Sequence, residues 1–285
     1  MLQFRGKLLP ETSLVMAIVN RTPDSFFDRG ATFGLQAALD RVDDVVAAGA
    51  HIVDIGGVKA APGAEVSAAE EADRVVEVVE RVRAAHPQVV ISVDTYRASV
   101  AELVLAAGAD LVNDAWEAPE PETFAVAASF GAGVVCTHAG HLPPRTRPHR
   151  VSYPDVVADV VTTVTGLAER AVAAGVPRES VLVDPGHDFG KNTRHSLQLT
   201  ARTSDLVATG WPVLMALSRK DFVGEVLDLL PDERLEGTLA ATAVCAWQGA
   251  RVFRAHDVGA TLRVLRMVDA IKGLTEPVVS VRGLA

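Results

Sequence analysis

The chain has 285 residues, 49% of them hydrophobic, and a formal net charge of −9. That length fits one large barrel or two medium domains. The spread acidic balance argues against nucleic acid as a partner, and no apolar run reaches the ~18 residues of a membrane span.

No basic segment followed by an apolar one opens the chain, so a secretion signal is not expected. The two cysteines, Cys136 and Cys245, fall in a strand-like and a helix-like run. They read as small buried hydrophobes rather than a disulfide, which suits a cytoplasmic protein.

Residues 2–9 read as a short hairpin that caps the bottom of the fold. A β-branched apolar run and a helix-like run then alternate. The strand runs are 14–19, 51–55, 89–93, 110–112, 134–137, 181–183, 213–217 and 251–255. The helical runs are 35–47, 68–85, 99–106, 121–129, 154–173, 195–208, 235–247 and 258–271. Gly-Ala or Ala-Gly joints recur between a helix and the next strand, as at Gly49-Ala50, Gly108-Ala109 and Gly249-Ala250, where glycine eases the helix end. Eight such units in about 270 residues predict an α/β chain folded as a (β/α)8 TIM barrel with a short N-terminal hairpin. A doubly wound open sheet is the alternative. No linker or low-complexity stretch interrupts residues 1–285, so a single domain is expected.

Polar residues stand at all eight strand ends. Asn20 follows the first, Asp54 with Gly56-Gly57 closes the second, and Asp94 follows the third. Asn113-Asp114, His138, Asp184-Pro185-Gly186, Ser218-Arg219-Lys220 and Arg254-Ala255-His256 follow the rest. A lone aspartate before a helix is usually a cap, but in a barrel all of these converge on one mouth. Asp94, Asn113 and Asp184 offer acceptors and an amide, a set suited to a flat nitrogen heterocycle. Lys220, Arg254 and His256 supply cations on the last two strands, where such barrels commonly hold phosphate. The expected ligand is therefore a heterocycle carrying a phosphate or diphosphate. Asn20 could hold a Mg2+ on that group, since hard cations take oxygen ligands and bridge phosphates.

In order along the chain, Asn20-Arg-Thr-Pro-Asp-Ser-Phe26, Ser92-Val-Asp-Thr95, Asn113-Asp114, Asp184-Pro-Gly186 with Phe189-Gly-Lys191, Ser218-Arg-Lys220 and Arg254-Ala-His-Asp257 resemble the motifs of dihydropteroate synthases. The match runs from about residue 14 to 270. The resemblance implies a barrel, usually a homodimer, that joins a dihydropterin methyl diphosphate to p-aminobenzoate in folate synthesis. It assigns Asp94, Asn113, Asp184 and Lys220 to the pterin ring. It assigns Asn20, Arg254 and His256 to the diphosphate, with Mg2+ at Asn20, and Phe189 to the p-aminobenzoate channel. Lys220, Arg254 and His256 would carry the catalysis: diphosphate departs, a pterin-stabilised cation forms, and the arylamine attacks. Positioning and charge stabilisation then dominate.

The departures from the family pattern cluster. Where the family has Glu-Ser-Thr-Arg-Pro-Gly, this chain has Val58-Lys59-Ala60-Ala61-Pro62-Gly63, so the threonine and arginine of the second-substrate site are Ala60 and Ala61. The serine after Ser-Arg-Lys is Asp221. A lost charged hydrogen bond removes roughly 1.5–3 kcal/mol, and a facing carboxylate at ~4 Å adds about 1–4 kcal/mol of repulsion. Even the smaller sum weakens p-aminobenzoate about a hundredfold. Ala216, Asp188 and the Thr137-His138-Ala139 run also differ, and an added methyl beside a stacked ring is expected to clash. The expectation is a divergent second paralogue with weak or no synthase activity that keeps an anion or pterin-diphosphate pocket. The alternatives are an active synthase using Lys59 or Arg21 in compensation, and a non-catalytic binder. Loops 21–33 and 58–67 are expected to be mobile lids, and 142–150 an exposed connector.

Overall fold

The computed structural model describes residues 1–23, 30–146 and 152–283. Two short strands, β1 (Gln3–Phe4) and β2 (Lys7–Leu8), pair as an antiparallel hairpin. Among the described residues eight more form one parallel sheet: β3 (Leu14–Asn20), β4 (Ile52–Gly56), β5 (Val90–Asp94), β6 (Leu111–Asp114), β7 (Gly133–Thr137), β8 (Val181–Asp184), β9 (Leu214–Met215) and β10 (Val252–Ala255). Their order is β8-β7-β6-β5-β4-β3-β10-β9. A parallel bridge between Val183 and Val213 draws the two outer strands together, giving a (β/α)8 barrel. Helices α1 (Leu35–Ala47), α2 (Ala68–Ala85), α3 (Ala98–Ala106), α4 (Glu122–Ser129), α5 (Val156–Ala173), α6 (Thr193–Ala201), α7 (Thr203–Val207), α8 (Asp221–Leu227), α9 (Leu235–Trp247) and α10 (Val258–Ile271) surround it. Among the described residues no helix is long and apolar enough to cross a membrane.

The apolar strands are buried on both faces, as a parallel sheet requires. Outward residues such as Val15, Ala17, Val53, Ile91 and Val93 pack beneath the helices. Inward residues Leu14, Met16, Ile52, Val90, Leu111, Leu182 and Val252 fill the barrel with Leu2, Phe4 and Leu9 of the N-terminal segment. Phe4 plugs the base because Gly133 leaves space for it. A Cβ at Gly133 would lie 2.4 Å from the Ser180 carbonyl and 2.5 Å from the Phe4 ring. Buried Asp110 fastens this end, meeting Lys7 and Arg83 at 2.5 Å each. Apolar filling below leaves the upper inward positions for polar groups.

Three expectations change. β9 is shorter than 213–217, and Val213 lies just before it, making the closing bridge while its carbonyl accepts the Arg251 and Val252 amides. The run 195–208 is two helices, because Arg202 leaves helical geometry (φ −114°, ψ 31°). Helix α8 follows β9 across residues 216–220 and was not expected; Asp228 ends it in the left-handed region at φ 55°.

Candidate functional site

Register places the polar groups at graded depth. Ile18 lies opposite Asp54, and Asp54 opposite Ser92, one layer below the rim. Asn20, Gly56 and Asp94 align in the layer above, and Asp94 lies opposite Asn113. Asp54 is fully buried. Ser92 Oγ donates to it at 2.6 Å, Asn113 Nδ2 at 3.2 Å and Arg254 Nε at 2.6 Å. Arg254 Nη2 also donates to Asp94 Oδ2 at 3.2 Å. One guanidinium thus bridges a sealed carboxylate and a rim carboxylate. Burial alone would lower the Arg254 pKa, but Asp54 and Asp94 outweigh it and hold it above the ordinary value.

A cleft above this network is lined by Asn20, Asp94, Ala216, Lys220, Arg254 and His256, with Ala60 and Lys59 at one side. Desolvation in the mouth raises Asp94 to about 7 despite its pairing with Arg254. Asp184 is likewise raised, mainly by burial, while Lys220 opposes the shift. Its Oδ1 accepts the Gly186 amide at 2.7 Å. Burial lowers Lys220, whose Nζ donates to the His187 carbonyl at 2.5 Å and lies 4.9 Å from the centre of the Phe189 ring. Ser218 Oγ contacts His256 Nδ1 at 2.9 Å and accepts the His256 amide at 3.2 Å. Asn20 contributes a hard amide oxygen beside Asp94 across Gly56. One neutral oxygen suits Mg2+ only when phosphate and water complete its shell.

Several strand-end groups turn away from the cleft. Arg219 holds Asp257 at 2.8 Å and the carbonyls of Pro231 and Asp232. His138 is buried beside Lys191, whose Nζ reaches His138 Nδ1 at 2.7 Å and the carbonyls of Gly186 and Phe189 at 3.0 and 2.8 Å. Burial and nearby Lys220 lower Lys191 to about 7. These contacts clamp the loop after β7 to the loop after β8. Gly186 (φ 64°) makes the crossing possible, since a Cβ there would lie 2.0 Å from the His138 carbonyl. Asp188, expected to crowd a stacked ring, instead points at α6 and α8. It takes a left-handed φ of 67°, accepts Ser196 Oγ at 3.1 Å and accepts the Phe222 amide at 3.3 Å. Ala216 does line the cleft, so its methyl narrows it.

The side expected to hold a second substrate differs from the expectation. Asp221 opens α8 with its side chain 81% exposed, and Arg234 Nη1 donates to it at 3.0 Å. The expected repulsion by an unscreened carboxylate is therefore reduced. Arg234 also donates to the Arg219 and Leu229 carbonyls and packs on Gly224. Segment 142–150 is more than a connector in its described part. Arg145 crosses to the second loop and donates to the carbonyls of Lys59, Ala61 and Ala64 at 3.2, 3.4 and 2.8 Å. It thereby brings a guanidinium beside Ala61 while spending donors on backbone. Arg21 leans on α2, donating to the Arg74 carbonyl at 3.0 Å. Trp116 packs edge-on to Phe189 with centroids 5.0 Å apart. Sequence reasoning assigned no role to Asp54, Lys191, Arg145, Arg234 or Trp116. Residues 24–29 of the first loop and 147–150 of the connector lie outside the described residues.

The sequence profile described as pterin binding enzyme matches residues 16–256. The chain is 58% identical over 279 residues to the inactive dihydropteroate synthase 2 of Mycobacterium tuberculosis, spanning 96% of this chain and 88% of that protein. It is 41% identical over 263 residues to the dihydropteroate synthase of Bacillus subtilis, spanning 92% and 89%. A crystal structure of the Yersinia pestis dihydropteroate synthase with a sulfonamide drug complex matches it at a TM-score of 0.90 and 39% identity, covering 96% of this chain and 99% of that one.

Proposed function

Because the chain belongs to the pterin-binding enzyme family, alongside the dihydropteroate synthases, we propose that it is a synthase-like paralogue with weak or no synthase activity. In this reading it keeps a pterin-diphosphate pocket and has lost its grip on p-aminobenzoate. One contrast carries the proposal. Asp54, Asp94 and Arg254 form an unbroken network, whereas Ala60 and Ala61 bring no polar side chain to the second-substrate loop. The relative named inactive supports the same reading.

Asp94, Asn113, Asp184 and Lys220 would hold the pterin ring. Asn20, Arg254 and His256 would hold the diphosphate. Asn20 and the ligand's own phosphate oxygens would hold Mg2+, which would neutralise charge on that leaving group. Phe189 would wall the remains of the arylamine channel. Two buried free cysteines support a reducing cytoplasm. Exposed Trp247 on α9, with Met267 and Ile271 on the adjacent α10, supports a homodimer.

A second reading, an active synthase with compensating cations, is favoured by Lys59 in the cleft lining and by Arg234 on Asp221. Calorimetry with the pterin diphosphate alone, then a coupled assay with both substrates, separates the two. Saturable pterin-diphosphate binding with turnover at least a hundredfold below an active synthase is expected. Turnover within tenfold of an active synthase would select the second reading, and absent binding would reject both.

A further inference from the structure

Outside the cleft, the β7–α5 side of the barrel carries a second cluster of donor atoms. His138 follows β7, His141 lies three residues on, and Asp159 sits in the first turn of α5. One donor atom from each lies within 4.8 Å of the other two. His138 Nε2 is 2.8 Å from Asp159 Oδ1, and His141 Nε2 is 3.9 Å from the same oxygen. Ligands about 2.0–2.1 Å from one tetrahedral ion stand roughly 3.3 Å apart. We propose that His138, His141 and Asp159 form a three-ligand site for a zinc-like divalent transition metal, with its fourth position open to water or an external ligand.

The surroundings of His141 single this cluster out. Its Nδ1 lies 3.0 Å from Glu117 Oε2. An imidazole that donates Nδ1–H to a carboxylate presents the Nε2 lone pair, and the pair of groups fixes the ring for a metal. Glu117 is itself held, because its Oε1 accepts the amides of Ala139, Gly140 and His141 at 2.6, 2.8 and 3.2 Å. Glu117 and His141 both take left-handed backbone, with φ of 64° and 58°. That conformation is uncommon outside glycine and persists where surrounding contacts impose it.

His138 is oriented from the opposite side by Lys191 at 2.7 Å from Nδ1. Lys191 donates to Nδ1, so Nε2 carries the proton now shared with Asp159, and a bound metal displaces that proton. His138 is buried and His141 is 65% exposed, so the site is anchored at one end and reachable from solvent at the other. Two imidazole nitrogens with a carboxylate suit zinc and its neighbours rather than magnesium or calcium. His86 and Asp43 also make a contact of 2.6 Å, yet no third donor joins them among the described residues. That pair serves as the control.

The full chain, stripped with chelator, is titrated with zinc chloride by calorimetry, and bound zinc is counted after dialysis. One zinc per chain is expected. His141→Ala and Asp159→Asn should each weaken binding at least tenfold, and Glu117→Gln ten- to a hundredfold. His86→Ala should change nothing. Cobalt in place of zinc should give the intense visible absorption of a tetrahedral site, lost in His141→Ala. Circular dichroism checks that each exposed-site variant folds, and buried His138 is left unsubstituted. Fewer than half a zinc per chain would overturn the proposal. So would unchanged affinity in folded His141→Ala, or an equal loss in His86→Ala.

Discussion

Arg254 Nε lies 2.6 Å from Asp54 Oδ2, inside the barrel and one layer beneath the mouth. Asp54 therefore sets where the guanidinium points, and Asp94 at 3.2 Å receives its far end. Removing Asp54 leaves Arg254 tethered only from the rim and strands the Ser92 and Asn113 donors in a sealed interior. Asp54→Ala should destabilise the fold by about 3–5 kcal/mol, the range for breaking a buried ion pair from one side. It should also weaken pyrophosphate binding, because Arg254 is no longer held. Urea denaturation and calorimetry measure the two effects. A loss below about 1 kcal/mol, the scale of an exposed pair, would mean that Asp54 is dispensable.

Asp94 gives the cleft a pH dependence. Desolvation lifts it to about 7, so below neutrality it holds a proton. Accepting from ring N–H groups favours the ionised form. Affinity for a hydroxymethyl pterin without phosphate should therefore fall about tenfold for each pH unit below 7 and level off above it. The phosphate-free ligand keeps diphosphate titration out of the measurement. Asp94→Asn should bind weakly with a flat profile, and the same slope in that variant would assign the proton to another group.

The barrel was legible because strands buried on both faces leave continuous β-branched runs, and glycine marks where helices give way to them. The mouth was legible in part: Asn20, Asp94, Lys220, Arg254 and His256 meet in the cleft, while Arg219 and His138, also at strand ends, turn away. Depth was not legible. Asp54 stands near a strand end like the others, yet register puts it below the rim, and only the pairing of strands fixes register. Helix α8 escaped notice because it is seven residues long with Gly224 near its middle. The glycine is there because the Arg234 guanidinium occupies the space a Cβ would take, 2.3 Å away. Asp188 misled for a related reason. It takes left-handed backbone, which an aspartate can adopt, and aims its carboxylate elsewhere. Asp221 with Arg234, and Arg145 with the second loop, meet across connecting segments that no periodic pattern describes.

The pairing of Asp221 with Arg234 alters how p-aminobenzoate binding should return. Asp221→Ser alone removes a carboxylate that is already screened, so it should improve affinity only a few-fold, in keeping with an exposed pair. Adding Ala60→Thr and Ala61→Arg supplies charged hydrogen bonds worth roughly 1.5–3 kcal/mol each. The triple variant should then gain at least tenfold in p-aminobenzoate affinity, measured by calorimetry with the pterin site filled by pterin and pyrophosphate. Equal affinity in the triple variant and the parent would place the defect elsewhere, with Ala216 in the cleft as the next position to test.

Asp114 makes the stability of the fold depend on pH. It is buried, its Oδ1 accepts the Trp116 amide at 2.7 Å, and its Oδ2 finds no hydrogen-bond partner among the described residues. Desolvation raises its pKa from 3.8 to about 7. Between those values the folded chain holds a proton that the unfolded chain has released. Raising the pH therefore favours unfolding, and the stability this proton confers is present in acid and lost as pH climbs through 7. Asp114→Asn keeps the acceptor for Trp116 and cannot ionise. It should exceed the parent in stability at pH 8 by about 1–3 kcal/mol, because only the parent must then bury an ionised carboxylate. At pH 5 the two should unfold at similar urea concentrations. Because Asp94, Asp184 and Glu71 shift the same way, the diagnostic quantity is the difference between variant and parent across pH. A difference that stays constant from pH 5 to 8 would show that Asp114 is already ionised at the acid end.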